Sequence, residues 1–219
     1  MAIQFATVNI YELNALWIKP NGGAEKLMNY FGKVMPVAQR HGVRILLRFE
    51  PVQAAAGDLF PSVIGFGEWP SLTAFDDFMA DPDYRSLYPL RDSAVERLVV
   101  THLRVPEATS ITVGEGKIYE LSGLWIRPDG GAERLADYSR QVMPVAAEYG
   151  ARRLVAFEPV RAAWGDFLPT RLGLTEWPTL AAFDAFQRDG RFQALKPLRD
   201  SALSRLVVTH GRLAVPDLH

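Results

Sequence analysis

Glu12, Glu68 and His102 recur at the same spacing in the second half of the chain as Glu120, Glu176 and His210. Two carboxylates beside an imidazole, in apolar surroundings, push their pKa values apart, which is what acid–base work requires. In that chemistry the imidazole carries the proton and a carboxylate orients and stabilises it. The same residues can also form a structural Glu–His ion pair between strands, and that reading stays open. Arg91 and Arg199 each stand in the run Pro-Leu-Arg-Asp-Ser. A guanidinium there can hold a substrate carboxylate in a two-bonded fork, or simply pair with the adjacent aspartate. Asp58 and Asp166 follow a glycine, so they are turn formers first and candidates for a pocket mouth second. Trp69 and Trp177 are candidate pocket walls.

Other chemistries find little support. Gly22-Gly23 lacks the spacing of a dinucleotide or Walker cradle. No nucleophile-elbow motif occurs. The chain has no cysteine, which removes disulfides, thiolate nucleophiles and cysteine-ligated metals. One shared histidine per half, without local His-x-x-Glu spacing, gives no metal-site signature, so no metal and no cofactor are expected.

These residues sit on a segment written twice. Residues 10–105 and 118–213 align without a gap, and more than half of the aligned positions are identical. Repeats of about 100 residues are large enough to hold a core each. Expected boundaries are 1–105 for the first repeat, 106–117 for a polar linker and 118–219 for the second.

Within one repeat, Asn9–Ile18 reads as a strand rich in aromatic and branched residues. Leu27, Tyr30, Phe31, Val34, Val37 and Ala38 form a helical stripe that Gly42 should end, with Pro36 expected to kink it. Val43–Glu50 and Ser62–Trp69 read as strands, a helix follows Pro70-Ser71, a further turn spans Leu87–Val95, and Arg97–Arg104 is the last strand. The order βαββαβ is the ferredoxin-like unit of the α+β class, an antiparallel sheet with both helices on one face. Its bare face needs cover, which the twin can provide. Strand alternation groups Glu12 with Ile10 and Leu16, Glu68 with Ile64 and Phe66, and His102 with Leu98 and Val100. If these sets share one face, each trio forms a row across the central strands.

Composition is that of an ordinary globular chain, 48% hydrophobic and 22% charged with a net charge of −1. Interspersed charge gives no footprint for nucleic acid, and no apolar run is long enough to cross a membrane. The N-terminus carries no recognisable signal peptide, so a cytoplasmic protein is the expectation.

Several runs carry a resemblance. They are the helix ends His41-Gly42 and Tyr149-Gly150, Gly57-Asp58 and Gly165-Asp166, Glu68-Trp69-Pro70-Ser71-Leu72 and Glu176-Trp177-Pro178-Thr179-Leu180. Pro89-Leu90-Arg91-Asp92-Ser93-Ala94 and its twin at 197–202 complete them. Together they resemble the dimeric α/β-barrel superfamily, and within it the domain of unknown function DUF1330, with the NIPSNAP family second. The resemblance implies two tandem ferredoxin-like domains forming an intramolecular α/β-barrel pseudo-dimer, with further homo-oligomers open. It brings no agreed chemistry. Relatives in the superfamily include cofactor-free monooxygenases, isomerases and haem-binding chlorite dismutases. The expectation is a cofactor-free enzyme (isomerase, lyase or monooxygenase type) acting on a small molecule. The alternatives are a non-catalytic small-molecule-binding or assembly module, and haem or metal binding with His102 or His210 as ligand. Against near identity, Ala56 becomes Trp164, Tyr88 becomes Lys196, Arg48 becomes Ala156 and Val63 becomes Arg171. If these line pockets, one site is narrowed or retuned.

Overall fold

The computed structural model describes residues 1–214; the last five residues assigned to the second repeat, 215–219, lie outside them. In chain order the strands are β1 (Ala2–Phe5), β2 (Ile10–Ile18), β3 (Arg44–Ala56), β4 (Val63–Trp69), β5 (Val95–Arg104), β6 (Thr109–Thr112), β7 (Ile118–Ile126), β8 (Arg152–Trp164), β9 (Arg171–Trp177) and β10 (Leu203–Leu213). The helices are α1 (Gly23–Arg40), α2 (Leu72–Ala80), α3 (Pro82–Ser86), α4 (Tyr88–Ala94), α5 (Gly131–Glu148), α6 (Leu180–Arg188) and α7 (Gly190–Ala202).

Local chemistry explains the helices. In α1 the buried residues Leu27, Tyr30, Val34, Val37 and Ala38 fall three or four apart and form one apolar face. The helix is continuous through Pro36. It ends where Gly42 takes φ 85° and donates to the Gln39 carbonyl. A Cβ at Gly42 would come within 2.7 Å of the Pro70 ring, so the position excludes a side chain on two counts. The Ser71 and Thr179 hydroxyls each accept from a backbone N–H, of Ala74 and Ala182, and open α2 and α6.

Each repeat has its first strand between its third and fourth, the α+β ferredoxin-like arrangement. The two sheets do not stack as separate layers. They join edge to edge, β5 with β8 and β10 with β3, into one closed eight-stranded barrel. This pseudo-dimer leaves no open edge among the barrel strands. The joining strands β3 and β8 run to Ala56 and Trp164, well past the Glu50 end expected from the sequence. Pro51 and Pro159 sit at register shifts in these strands, where the ladder can spare a donor.

The barrel is filled. Tyr11, Leu13, Phe49, Phe66, Leu103, Tyr119, Phe157 and Leu172 from both repeats meet in one core. The Phe66 and Phe157 rings stack at 5.7 Å across the repeat boundary. The segment expected to be a plain linker contributes β6, whose Ile111 joins that core beside Ile3 and Phe5 of its partner β1. Helices cover the outside of the barrel over separate apolar layers in each repeat. No described helix is long and apolar enough to cross a membrane.

Candidate functional site

Strand register decides which expected residues meet. Glu12 lies opposite His102 and Glu120 opposite His210, all four on the helix-facing side of the sheet. Glu68 lies opposite Tyr11 and Glu176 opposite Tyr119, and both tyrosines point into the barrel core. The expected three-residue row is therefore corrected to a pair, since β4 and β9 are offset by one residue from the parity it needed. Glu68 instead pairs with Arg44 and accepts from Asn9, while Glu176 takes the Tyr119 hydroxyl and Arg152. Asp58 and Asp166 are exposed turn residues paired with Arg205 at 2.8 Å and Arg97 at 3.7 Å. Neither reaches the pair.

In the second repeat a cavity of about 500 Å³ opens between the sheet and α5, α6 and α7. Glu120 and Trp177 form part of its wall, with Tyr138, Lys196 and Arg199 on the helix side. The end of β3 closes it with Ala55 and Ala56, so the first repeat completes the second repeat's cavity. Trp177 donates its indole N–H to Glu120 Oε2 at 2.9 Å, and His210 Nε2 lies 3.4 Å from the same oxygen. His210 is fully buried, sits edge-on to the Phe183 ring at 4.1 Å, and does not line the cavity. The expected division of labour is thus reversed in position: the carboxylate faces the cavity and the imidazole stands behind it. Burial pushes the Tyr138 hydroxyl up to about 12, opposed by the Arg199 guanidinium. Arg199 keeps Asp200 as its ion-pair partner at 2.7 Å.

The first repeat carries a large side chain at the corresponding place. Trp164, from the end of β8, packs against the layer under α1 and α4, opposite Val100, where the second repeat has Ala56 opposite Val208. Arg91 lies 5.0 Å from the Trp164 ring and 4.6 Å from the Tyr88 ring, and donates to the Tyr84 hydroxyl at 3.4 Å. Glu12 accepts from Trp69 Nε1 at 2.8 Å and from Asn14 at 3.3 Å. Burial pushes the Glu12 carboxyl up against those two bonds. His102 turns to Arg161, whose Nε donates to Nδ1 at 3.3 Å while its guanidinium pairs with Asp76 at 2.8 Å. The counterpart of Arg161 beside His210 is Gln53.

This arrangement gives a pH signature. Burial, and then the Arg161 charge, lowers the His102 imidazole from 6.5 to about 4. Between those values the unfolded chain binds a proton that the folded chain refuses. The corresponding stability is complete above about pH 6.5 and is lost as pH falls toward about 4, a total of about 3 kcal/mol. Urea unfolding at pH 5 and pH 7 is expected to show a smaller loss in His102→Gln than in the parent. Equal pH slopes would remove the cause assigned here.

Tyr138 and Lys196 were not marked as site residues by the sequence. Tyr138 belongs to the apolar stripe of α5 and reads as core, and Lys196 stands out only as the replacement of Tyr88. Among the described residues no cluster of three His, Cys, Asp or Glu side chains is placed to hold a metal ion.

The family model of DUF1330, a domain of unknown function, matches residues 22–102 and 130–211. An anthrone oxidase-like protein superposes with a TM-score of 0.65 at 13% identity, over 98% of this chain and 95% of its own. A chlorite dismutase from Candidatus Nitrospira defluvii gives 0.61 at 9% identity, over 96% and 93%. A candidate monooxygenase from Lactobacillus acidophilus NCFM gives 0.52 at 13% identity, over 94% of each. At these identities the likeness establishes the dimeric α/β-barrel fold. No curated protein matches the sequence.

Proposed function

The chain belongs to the DUF1330 family through both of its repeats, and from the cavity of the second repeat we propose that it is a cofactor-free enzyme acting on a small organic molecule by proton transfer. The observation that carries this reading is a carboxylate, Glu120, in the wall of a cavity of about 500 Å³, a size suited to one small ligand. Both of its hydrogen bonds among the described residues fall on Oε2, which leaves Oε1 for a substrate proton. Trp177 fixes the carboxylate, His210 positions it from behind, and Arg199 with Lys196 provides positive charge for an anion that forms as the proton leaves. The structural neighbours, an anthrone oxidase-like protein and a candidate monooxygenase among them, are compatible with small-molecule chemistry on this fold.

A haem does not fit these residues. His102 and His210 are both fully enclosed, and the latter faces Glu120 rather than the cavity. A haem placed in the cavity would find no imidazole in its wall.

The test is to incubate the protein with a small-molecule extract of cells and follow every component by mass spectrometry, with Glu120→Gln in parallel. A component converted by the parent and spared by Glu120→Gln supports the reading. Retention of a component without conversion would make the protein a binding module, and no difference between the two chains would end the proposal.

A further inference from the structure

The first repeat shows what fits the second. At its equivalent place it holds a ring of its own, the Trp164 indole, which β8 carries across the β5–β8 seam. There the Arg91 guanidinium lies close to two aromatic rings, Trp164 at 5.0 Å and Tyr88 at 4.6 Å. In the second repeat Ala56 stands for Trp164 and Lys196 for Tyr88, and both line the cavity beside Arg199. Among the described residues the one ring that the Arg199 guanidinium lies over is Phe192, at 5.9 Å. Two further exchanges on the helix, Phe31 to Ser139 and Met28 to Ala136, also remove bulk, and Ser139 and Ala136 again line the cavity.

Accepting the cavity as the ligand site, as proposed above, we infer that its ligand is a flat aromatic ring bearing an anionic group. The ring takes the place that the Trp164 indole holds in the first repeat. It rests on Ala55 and Ala56 with its face toward the Arg199 guanidinium, an arrangement favoured by attraction between the cation and the ring face. The anionic group meets Lys196, the charge introduced where the first repeat has a tyrosine. Trp164 is, on this reading, a built-in occupant that keeps the first repeat closed to the same ligand.

The experiment is calorimetric titration of the full chain with three probes of similar size: 2-naphthoate, its saturated analogue decahydronaphthalene-2-carboxylate, and the neutral 2-naphthamide. Naphthoate is expected to bind at a single site, about ten-fold tighter than either of the others. Ala56→Trp, which builds in the second repeat the contact already present in the first, is expected to abolish that binding with the circular dichroism spectrum retained. Lys196→Gln provides an independent check if Ala56→Trp fails to fold, and is expected to weaken naphthoate while leaving the naphthamide unchanged. Equal affinity for all three probes would overturn the ring-and-anion assignment while leaving the cavity as a ligand site. Undiminished binding to a folded Ala56→Trp chain would overturn the placement of the ring. Failure of every probe to bind the parent chain would overturn the cavity reading together with it.

Discussion

Replacing Glu120 by Gln is expected to reduce turnover by about 10²–10⁴-fold, the usual contribution of a positioned general base. The amide oxygen can still accept from Trp177, as Glu120 does at 2.9 Å, so the cavity keeps its shape. The substrate KM should then move by no more than about three-fold, the pattern of an interaction made only in the transition state. His210 acts through Glu120, 3.4 Å from Oε2, so His210→Asn should have a smaller effect, about ten-fold, confined to kcat with KM unchanged. Full turnover in Glu120→Gln would refute the assignment, and an unchanged kcat in His210→Asn would reduce His210 to packing.

The second large effect concerns the core. Phe157 is 1% exposed at the centre of the barrel, 5.4 Å from the Phe5 ring and 5.7 Å from Phe66, both contributed by the other half of the chain. Phe157→Ala deletes a ring from a filled interior and is expected to cost about 3–5 kcal/mol. Against a total stability of about 5–15 kcal/mol, that is enough to bring unfolding within reach of mild denaturant. Because the core is common to both repeats, the loss should appear as one cooperative transition, with amide protection falling together in β2 and β7. Persistent protection in β2 after β7 has exchanged would show instead that the repeats unfold independently.

Much of this was legible in the sequence, and the gaps have physical reasons. The duplication, the βαββαβ order and the Gly42 helix end follow from periodicity and turn chemistry, which are local. The pairing of Glu12 with His102 rested on the assumption that their strands turn the same face, which the β2–β5 register meets. Glu68 was placed on the wrong face because register depends on how β4 lies against β2, and alternation within one strand carries no such information. The ends of β3 and β8 read as loop, since proline and alanine runs do not signal a strand, and their partners belong to the other repeat. The exchange of Ala56 for Trp164 was visible, but not its address. Only the seam pairing reveals that Trp164 belongs to the first repeat's site and Ala56 to the second's. The roles of Glu120 and His210 depended on which of them faces open space, a property of helix packing rather than spacing.

That seam also bears on how such a chain can evolve. A residue at the end of β3 or β8 edits the neighbour's site, never its own. In a symmetric pair of identical chains, a tryptophan there would shut both sites in a single mutation, and selection for the ligand would reject it. Joining two copies in one gene separates those fates. One copy can then acquire the tryptophan and seal its companion, while the small residue retained by that companion keeps the mutated copy open. Fusion thus frees half of a once symmetric molecule to become scaffold, and a one-site enzyme can descend from a two-site ancestor without an inactive intermediate.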